Sequence, residues 1–154
     1  MAGLAAGDVL DVKLKWPNDL IVNSAKAGGI LVEASGSVVV VGWGVNLWWP
    51  GAPAGITALR EHDPGPQWGA ELARSILESF LQRMTRDPGD WGIEQYRRSC
   101  LTLGTRVSWE QDDDDRPNHG VAVGIADDGA LLVETTAGPV SLRSGEVRSL
   151  RGES

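Results

Sequence analysis

A lysine, a carboxylate, a carboxamide and paired glycines fall within one short stretch. It reads Lys15-Trp16-Pro17-Asn18-Asp19-Leu20, then a short apolar run, then Lys26-Ala27-Gly28-Gly29-Ile30-Leu31-Val32-Glu33. No other segment of the 154 residues brings these types together between apolar runs. Lys26 would neutralise a phosphate or a carboxylate. Gly28 and Gly29 would let backbone amides approach that anion, and Asn18 would read a heterocycle edge through its donor and acceptor pair. Asp19 has three possible roles: orienting Lys26, helping to hold a metal ion, or taking a proton from an amine. A surface turn with a solvated lysine and a tight glycine turn has the same composition, so both readings stay open at this level.

The elements that must position these groups follow from periodicity. Val12, Leu14 and Trp16 alternate with Lys13 and Lys15, the period of a half-buried strand. Pro17 ends it, which makes Pro17-Asn18-Asp19 a turn. Leu20 to Val22 starts a second strand. Asn23-Ser24 opens a connection that contains Lys26 and is closed by Gly28-Gly29. Ile30 to Ala34 and Val38 to Val41 form a hairpin around Ser35-Gly36-Ser37, and its second strand runs on through Gly42-Trp43-Gly44-Val45-Asn46-Leu47. The alternating glycines there predict close approach of a ligand or another backbone. Trp48 to Gly55 reads as a loop.

Leu72, Ile76, Leu77, Phe80, Leu81 and Met84 fall at helical spacing, so a helix is predicted over 71–86, after Pro64-Gly65-Pro66 and before Asp87-Pro88-Gly89. Asp90 caps a second helix running to about Ser99, with Trp91, Ile93 and Tyr96 on its buried side. After Gly104 come short strands at 105–110, 121–126, 130–135, 140–142 and 147–150, with tight turns between them. They predict a small antiparallel barrel or sandwich. Asp112 to Asp115 reads as a solvated hairpin tip, His62 and His119 as surface residues, Cys100 as a packed thiol, and most of the seven tryptophans as core.

Composition narrows the function classes. The net charge is −7 and the pI about 4.7, which disfavours nucleic acid and anionic lipid as partners. The only lysines, Lys13, Lys15 and Lys26, make the first quarter locally basic, which suits a small anionic ligand. No apolar run approaches the roughly 20 residues that span a bilayer. One cysteine excludes an internal disulfide and suits a cytoplasmic location.

The central stretch resembles the biotin protein ligase family, whose signature has the form Lys-Trp-Pro-Asn-Asp, a spacer, Lys, one or two small residues, then Gly-Ile-Leu. Here these are Lys15 to Asp19, Lys26, and Gly29-Ile30-Leu31. The family's Gly-x-Gly-x-Asn strand is matched by Gly42-Trp43-Gly44-Val45-Asn46, and Leu103-Gly104 through Arg151 looks like its small C-terminal domain. The fold this implies is α+β: a mixed sheet with helices, forming the later part of a class II synthetase-like catalytic domain over 1–100, then an SH3-like β-barrel over 101–154.

The implied reaction is ATP-dependent, Mg²⁺-assisted activation of biotin to biotinyl-5'-AMP, then transfer to a lysine of a biotin carboxyl carrier domain. By carry-over, Lys26 meets the biotin carboxylate and the α-phosphate, and Asn18 and Asn46 face adenine. Gly29, Gly42 and Gly44 line the pocket, and Arg148, with Arg143 and Glu146, lies where the C-terminal domain approaches the nucleotide. A side-by-side sheet homodimer is also implied. The family's upstream Gly-Arg-Gly-Arg-x-Gly-Arg loop has no counterpart here, so the expectation is a C-terminal portion whose pocket is incomplete alone. The alternatives are a non-catalytic nucleotide-binding or interaction module, and an unrelated nucleotide-binding α/β protein.

Overall fold

The computed structural model describes residues 1–85, 90–111, 114–143 and 147–149. Asp87-Pro88-Gly89, Glu146, Leu150 and Arg151, on which some expectations rest, lie outside them. The chain divides into two compact units. The first comprises Met1–Leu14 and Asn18–Gly92; the second comprises Lys15–Pro17 and the chain from Ile93 onward.

The first unit carries a sheet in the order β1-β2-β3-β4, with β1 Lys13–Lys15, β2 Asp19–Val22, β3 Ala25–Ser35 and β4 Val38–Val45. β2 with β3 and β3 with β4 pair antiparallel, so the predicted mixed sheet is corrected to an antiparallel one. Two-residue turns join these strands, and such turns only reverse a chain. Parallel pairing survives in two isolated bridges, Lys26 to Ile56 and Trp48 to Arg60.

The predicted Lys26 connection is corrected too. Asn23 and Ser24 both have positive φ, 47° and 64°, a turn whose twist matches that of the flanking strands. Two residues are therefore enough, and Lys26, Gly28 and Gly29 belong to β3 itself.

Two helices lie on one face of this sheet. α1, Ala2–Val9, was not predicted, because its alanine- and glycine-rich sequence shows no apolar stripe; Leu4, Ala5 and Ala6 are buried. α2, Gly65–Met84, starts six residues before the expected boundary. Pro66 sits in its first turn, where a missing N–H costs nothing, and Asp63 Oδ1 accepts a hydrogen bond from the Gly65 N–H at 2.8 Å. Leu72 and Ile76 are buried, while Leu77, Leu81 and Met84 are exposed, so the expected apolar face is only half used. In their place the helix buries Arg83, 4% exposed, whose guanidinium makes two bonds to Asp8 of α1 at 2.6 and 2.7 Å. Ser79 Oγ donates to the same carboxylate at 2.6 Å.

The second unit contains α3, Ile93–Ser99, and five strands: β5 Arg106–Gln111, β6 Asp114–Ile125, β7 Leu131–Thr135, β8 Gly138–Leu142 and β9 Val147–Ser149. Their order is β8-β7-β6-β5-β9, and every pairing is antiparallel. Both sheets and the helices give an α+β architecture. β6 begins at Asp114, paired with Gln111, so strand extends into the gap expected between residues 110 and 121. Cross-strand backbone bonding overrides the weak β preference of Asp and Asn there.

Trp16, Val107, Trp109, Ile125, Leu131 and Val133 form the core of this unit, with Cys100 buried beside them and Ile93 and Tyr96 packed against it. Trp16 is held by its backbone N–H to Thr102 Oγ1 at 2.9 Å and by Nε1–H to the Gly129 carbonyl at 3.0 Å. Of the seven tryptophans only Trp16 and Trp109 are buried, and Trp48 and Trp49 are exposed. The aromatic core is therefore smaller than composition suggests. No described helix is long and apolar enough to cross a membrane.

Candidate functional site

The register of β3 against β4 sorts their residues by face. Gly28 opposes Val45, Ile30 opposes Trp43 and Val32 opposes Val41; the intervening pairs are Gly29 with Gly44, Leu31 with Gly42 and Glu33 with Val40. Alternation puts the two sets on opposite faces. The first is the helix side: Ile30 is buried, and Trp43 donates Nε1–H to the Ala2 carbonyl at 3.1 Å and meets the Phe80 ring edge-on at 5.2 Å. The second face is open, with Leu31 63% and Val40 60% exposed.

The expected charged groups meet on this open face. Lys26 Nζ lies 2.5 Å from Asp19 Oδ1, with the lysine side chain 44% and the aspartate 16% exposed. Asp19 opposes Gly29 across β2 and β3, and a Cβ built on Gly29 would lie 3.7 Å from Lys26 Cε and 3.8 Å from Nζ. The lysine thus lies across bare backbone to reach its carboxylate, and a side chain larger than methyl at position 29 would displace it. Beyond it, Cβ atoms on Gly44 and Gly42 would meet only single backbone oxygens, at 3.8 and 4.0 Å. Asp19, Lys26, Gly29, Gly42 and Gly44 therefore share one face: an ion pair lying over Gly29, beside exposed peptide at Gly42 and Gly44.

Other expected site residues fall elsewhere. Gly28 is buried, and its Cβ would lie 2.3 Å from the Gly44 carbonyl oxygen, so its place is explained by close strand packing. Asn18 Nδ2 donates to the Ile30 carbonyl at 2.7 Å, and the Asn18 backbone carbonyl accepts the Ile30 N–H at 2.9 Å. Asn46 Nδ2 donates to the Thr57 carbonyl at 3.0 Å. Each carboxamide still has its oxygen for another donor. Arg148 is exposed on β9 of the second unit, where Arg143 pairs with Asp128 at 2.7 Å.

His62 and His119 are exposed, and the described residues include no group of three or more His, Cys, Asp or Glu placed to hold a metal ion. A cleft of about 790 Å³, lined by Lys13, Asn23, Arg60 and Glu71 among others, lies elsewhere in the first unit and does not include Lys26.

Sequence reasoning missed the segment that backs Lys26. The Lys26 N–H donates to the Gly55 carbonyl at 2.8 Å, and the Thr57 N–H donates to the Lys26 carbonyl at 2.9 Å. The only signal for it was the Pro/Gly punctuation around Pro53 and Gly55.

Comparison with known proteins adds a family model, two relatives and two solved structures. The family model described as Biotin protein ligase C terminal domain matches residues 102–148. A biotin--[acetyl-CoA-carboxylase] ligase of Paracoccus denitrificans is 31% identical over 160 residues, covering 94% of this chain and 66% of that protein. The protein of the same name from Mycobacterium tuberculosis is 30% identical, covering 98% and 58%. The chain thus spans two thirds or less of the length of these relatives. Among solved structures, the apo biotin protein ligase of Aquifex aeolicus superposes with a TM-score of 0.76 at 24% identity, over 98% of this chain and 73% of that one. The same enzyme in complex with biotin and ATP gives 0.73, over 98% and 69%. At that identity the likeness establishes the fold.

Proposed function

We propose that this chain, which belongs to the biotin protein ligase family and matches the C-terminal part of its members, carries the anion-handling half of a ligase site. The activity is ATP-dependent activation of biotin to biotinyl-5'-AMP and transfer of the biotinyl group to a lysine of a biotin carboxyl carrier domain. The observation that carries this reading is the Lys26–Asp19 pair beside the bare Gly29, Gly42 and Gly44 strip. Biotin is a flat bicycle with an alkyl carboxylate, and uncovered peptide lets it approach where side chains would collide. A carboxylate attacking the α-phosphate of ATP brings like charges together. The Lys26 ammonium, held in place by Asp19, offsets that repulsion and stabilises the charge that develops. Asn18 and Asn46 each offer adenine a carboxamide oxygen, while their nitrogens anchor to backbone carbonyls.

Mg²⁺ is usually bound through one or two carboxylates plus substrate phosphates. Asp19 fits that role, and the ion would screen the phosphates. Arg148 and an SH3-like closure of the second sheet belong to the same proposal, as does a homodimer.

The test fuses this chain behind the unmatched part of the Paracoccus denitrificans relative and follows biotin transfer to a carrier domain. Lys26→Ala is expected to abolish adenylate formation. Equal rates in parent and variant would remove Lys26 from the mechanism.

A further inference from the structure

We propose that Asn46 is a positioning residue for Lys26, acting through the Gly55–Thr57 segment. This deepens the reading above and rests on it for its catalytic meaning. β4 ends at Val45, so no strand residue of β4 lies beside Lys26. The ladder continues by one bond, from the Asn46 N–H to the Ala27 carbonyl at 2.7 Å. At Lys26 the neighbour changes: Ile56 forms a parallel bridge, with the Lys26 N–H on Gly55 and the Lys26 carbonyl on Thr57. Both backbone polar groups of the lysine are therefore held by a loop.

Asn46 fixes that loop to the sheet. Its Nδ2 donates to the Thr57 carbonyl at 3.0 Å, and its own carbonyl accepts the Leu59 N–H at 2.9 Å. Backbone and side chain together tie β3, β4 and the loop at one residue. Asparagine supplies what this needs, a short side chain with a donor reaching a carbonyl. Aspartate has the same shape and only acceptors, so it would set oxygen against the Thr57 oxygen. Gly55 has φ of +82° and nothing within 4 Å of a built Cβ. A side chain there would meet no steric bar, but it would disfavour the backbone conformation that aims the Gly55 carbonyl at Lys26.

The experiment reads Lys26 directly. The three lysines are reductively methylated with ¹³C, giving three dimethylamine signals in addition to that of the N-terminus, and Asp19→Asn identifies the Lys26 signal by moving it. Asn46→Asp and, independently, Gly55→Ala are expected to shift the Lys26 signal toward its position in Asp19→Asn and to leave Lys13 and Lys15 unmoved. In the fused ligase, Gly55→Ala is expected to lower kcat about tenfold or more while KM for ATP stays within about twofold, because Gly55 moves the lysine and does not touch the nucleotide. An unmoved Lys26 signal in a folded Gly55→Ala variant overturns the proposal, whatever the activity. A moved signal in a protein whose biotin transfer ignores Lys26→Ala leaves the clamp standing and sinks the catalytic reading.

Discussion

The two sheets use glycine in opposite ways. In the second unit, a Cβ on Gly120 would lie 2.5 Å from the Glu134 carbonyl oxygen and 2.4 Å from Val133 Cγ1, so the residue is glycine because neighbours press against it. The first sheet has one such position, Gly28, and three more where a Cβ would make only ordinary contacts, at 3.7 to 4.0 Å: Gly29 beneath Lys26, and Gly42 and Gly44. Apolar residues divide less sharply. β7 buries Leu131 and Val133, while its sheet exposes Val121, Val123 and Leu132; the β3–β4 hairpin exposes Leu31, Val38 and Val40 on its open face and Val32 and Val39 on the other. The face of the first sheet that carries Gly42 and Gly44 is uncovered, as the proposed function requires of a surface that receives a ligand.

Substitutions can break this contrast, and the largest effect belongs to the second sheet. Trp16→Ala removes a buried indole and its bond to Gly129, at a cost of about 3–5 kcal/mol. Hydrogen exchange of the β5–β7 amides should accelerate accordingly. Unchanged protection there would mean that Trp16 is no part of that core. Next is Gly28→Ala, which sets a methyl 2.3 Å from a backbone oxygen and should lower stability by about 2–3 kcal/mol, read from the urea midpoint with β3 and β4 losing protection first.

A smaller effect concerns Tyr96, the single tyrosine. Burial, reinforced by the adjacent Cys100 thiol, holds its hydroxyl well above the ordinary phenol range. The unfolded chain therefore releases this proton near pH 10 while the folded chain keeps it. The stability Tyr96 contributes is intact below pH 10 and is lost as pH rises toward the raised folded value, by up to about 1.4 kcal/mol per pH unit. Unfolding midpoints at pH 9 and pH 11 should fall further apart in the parent than in Tyr96→Phe, and phenolate absorbance should appear late in the folded protein. An ordinary titration of that absorbance would contradict the buried placement.

Local signals made the strands of both sheets legible. Alternation located β1, tight turns bounded β7, and the Ser35-Gly36-Ser37 turn located the long hairpin. The Lys26, Asp19 and glycine cluster was legible as a grouping of residue types, and the structure brings Lys26 and Asp19 together, although composition alone fits a surface turn as well. The details that failed depend on partners distant in sequence. Lys26 was read into a loop because two glycines followed it, whereas the compact Asn23-Ser24 turn left room for a strand. Leu77, Leu81 and Met84 lie on the apolar stripe that predicts the helix, but periodicity gives a stripe and cannot say what covers it. α1 carries no periodic stripe, and the Gly55–Thr57 clamp is made of backbone bonds, on which side-chain identity leaves almost no mark. Trp16 was placed with Val12 and Leu14 by alternation; all three are buried, yet the tryptophan belongs to the other unit.

The smallest stability effect is the most informative about the open face. Gly44→Ser adds a Cβ whose nearest neighbour is the Gly29 carbonyl oxygen at 3.8 Å, an ordinary contact. On structural grounds alone it should change stability by no more than about 0.5 kcal/mol. If the bare strip exists to let biotin lie against the peptide, the added hydroxymethyl occupies that space, and adenylate formation in the fused ligase should fall by about a hundredfold through misplacement of the reacting carboxylate. Measured beside Gly124→Ser in the second sheet, where the Cβ would rest 3.5 Å from Leu132 Cδ1, the pair separates two explanations. A loss of activity confined to Gly44→Ser at unchanged stability means the open glycines serve the ligand. Equal activity in both would reduce the strip to an uncovered surface and leave Lys26 and Asp19 without a seat for the molecule they are proposed to act on.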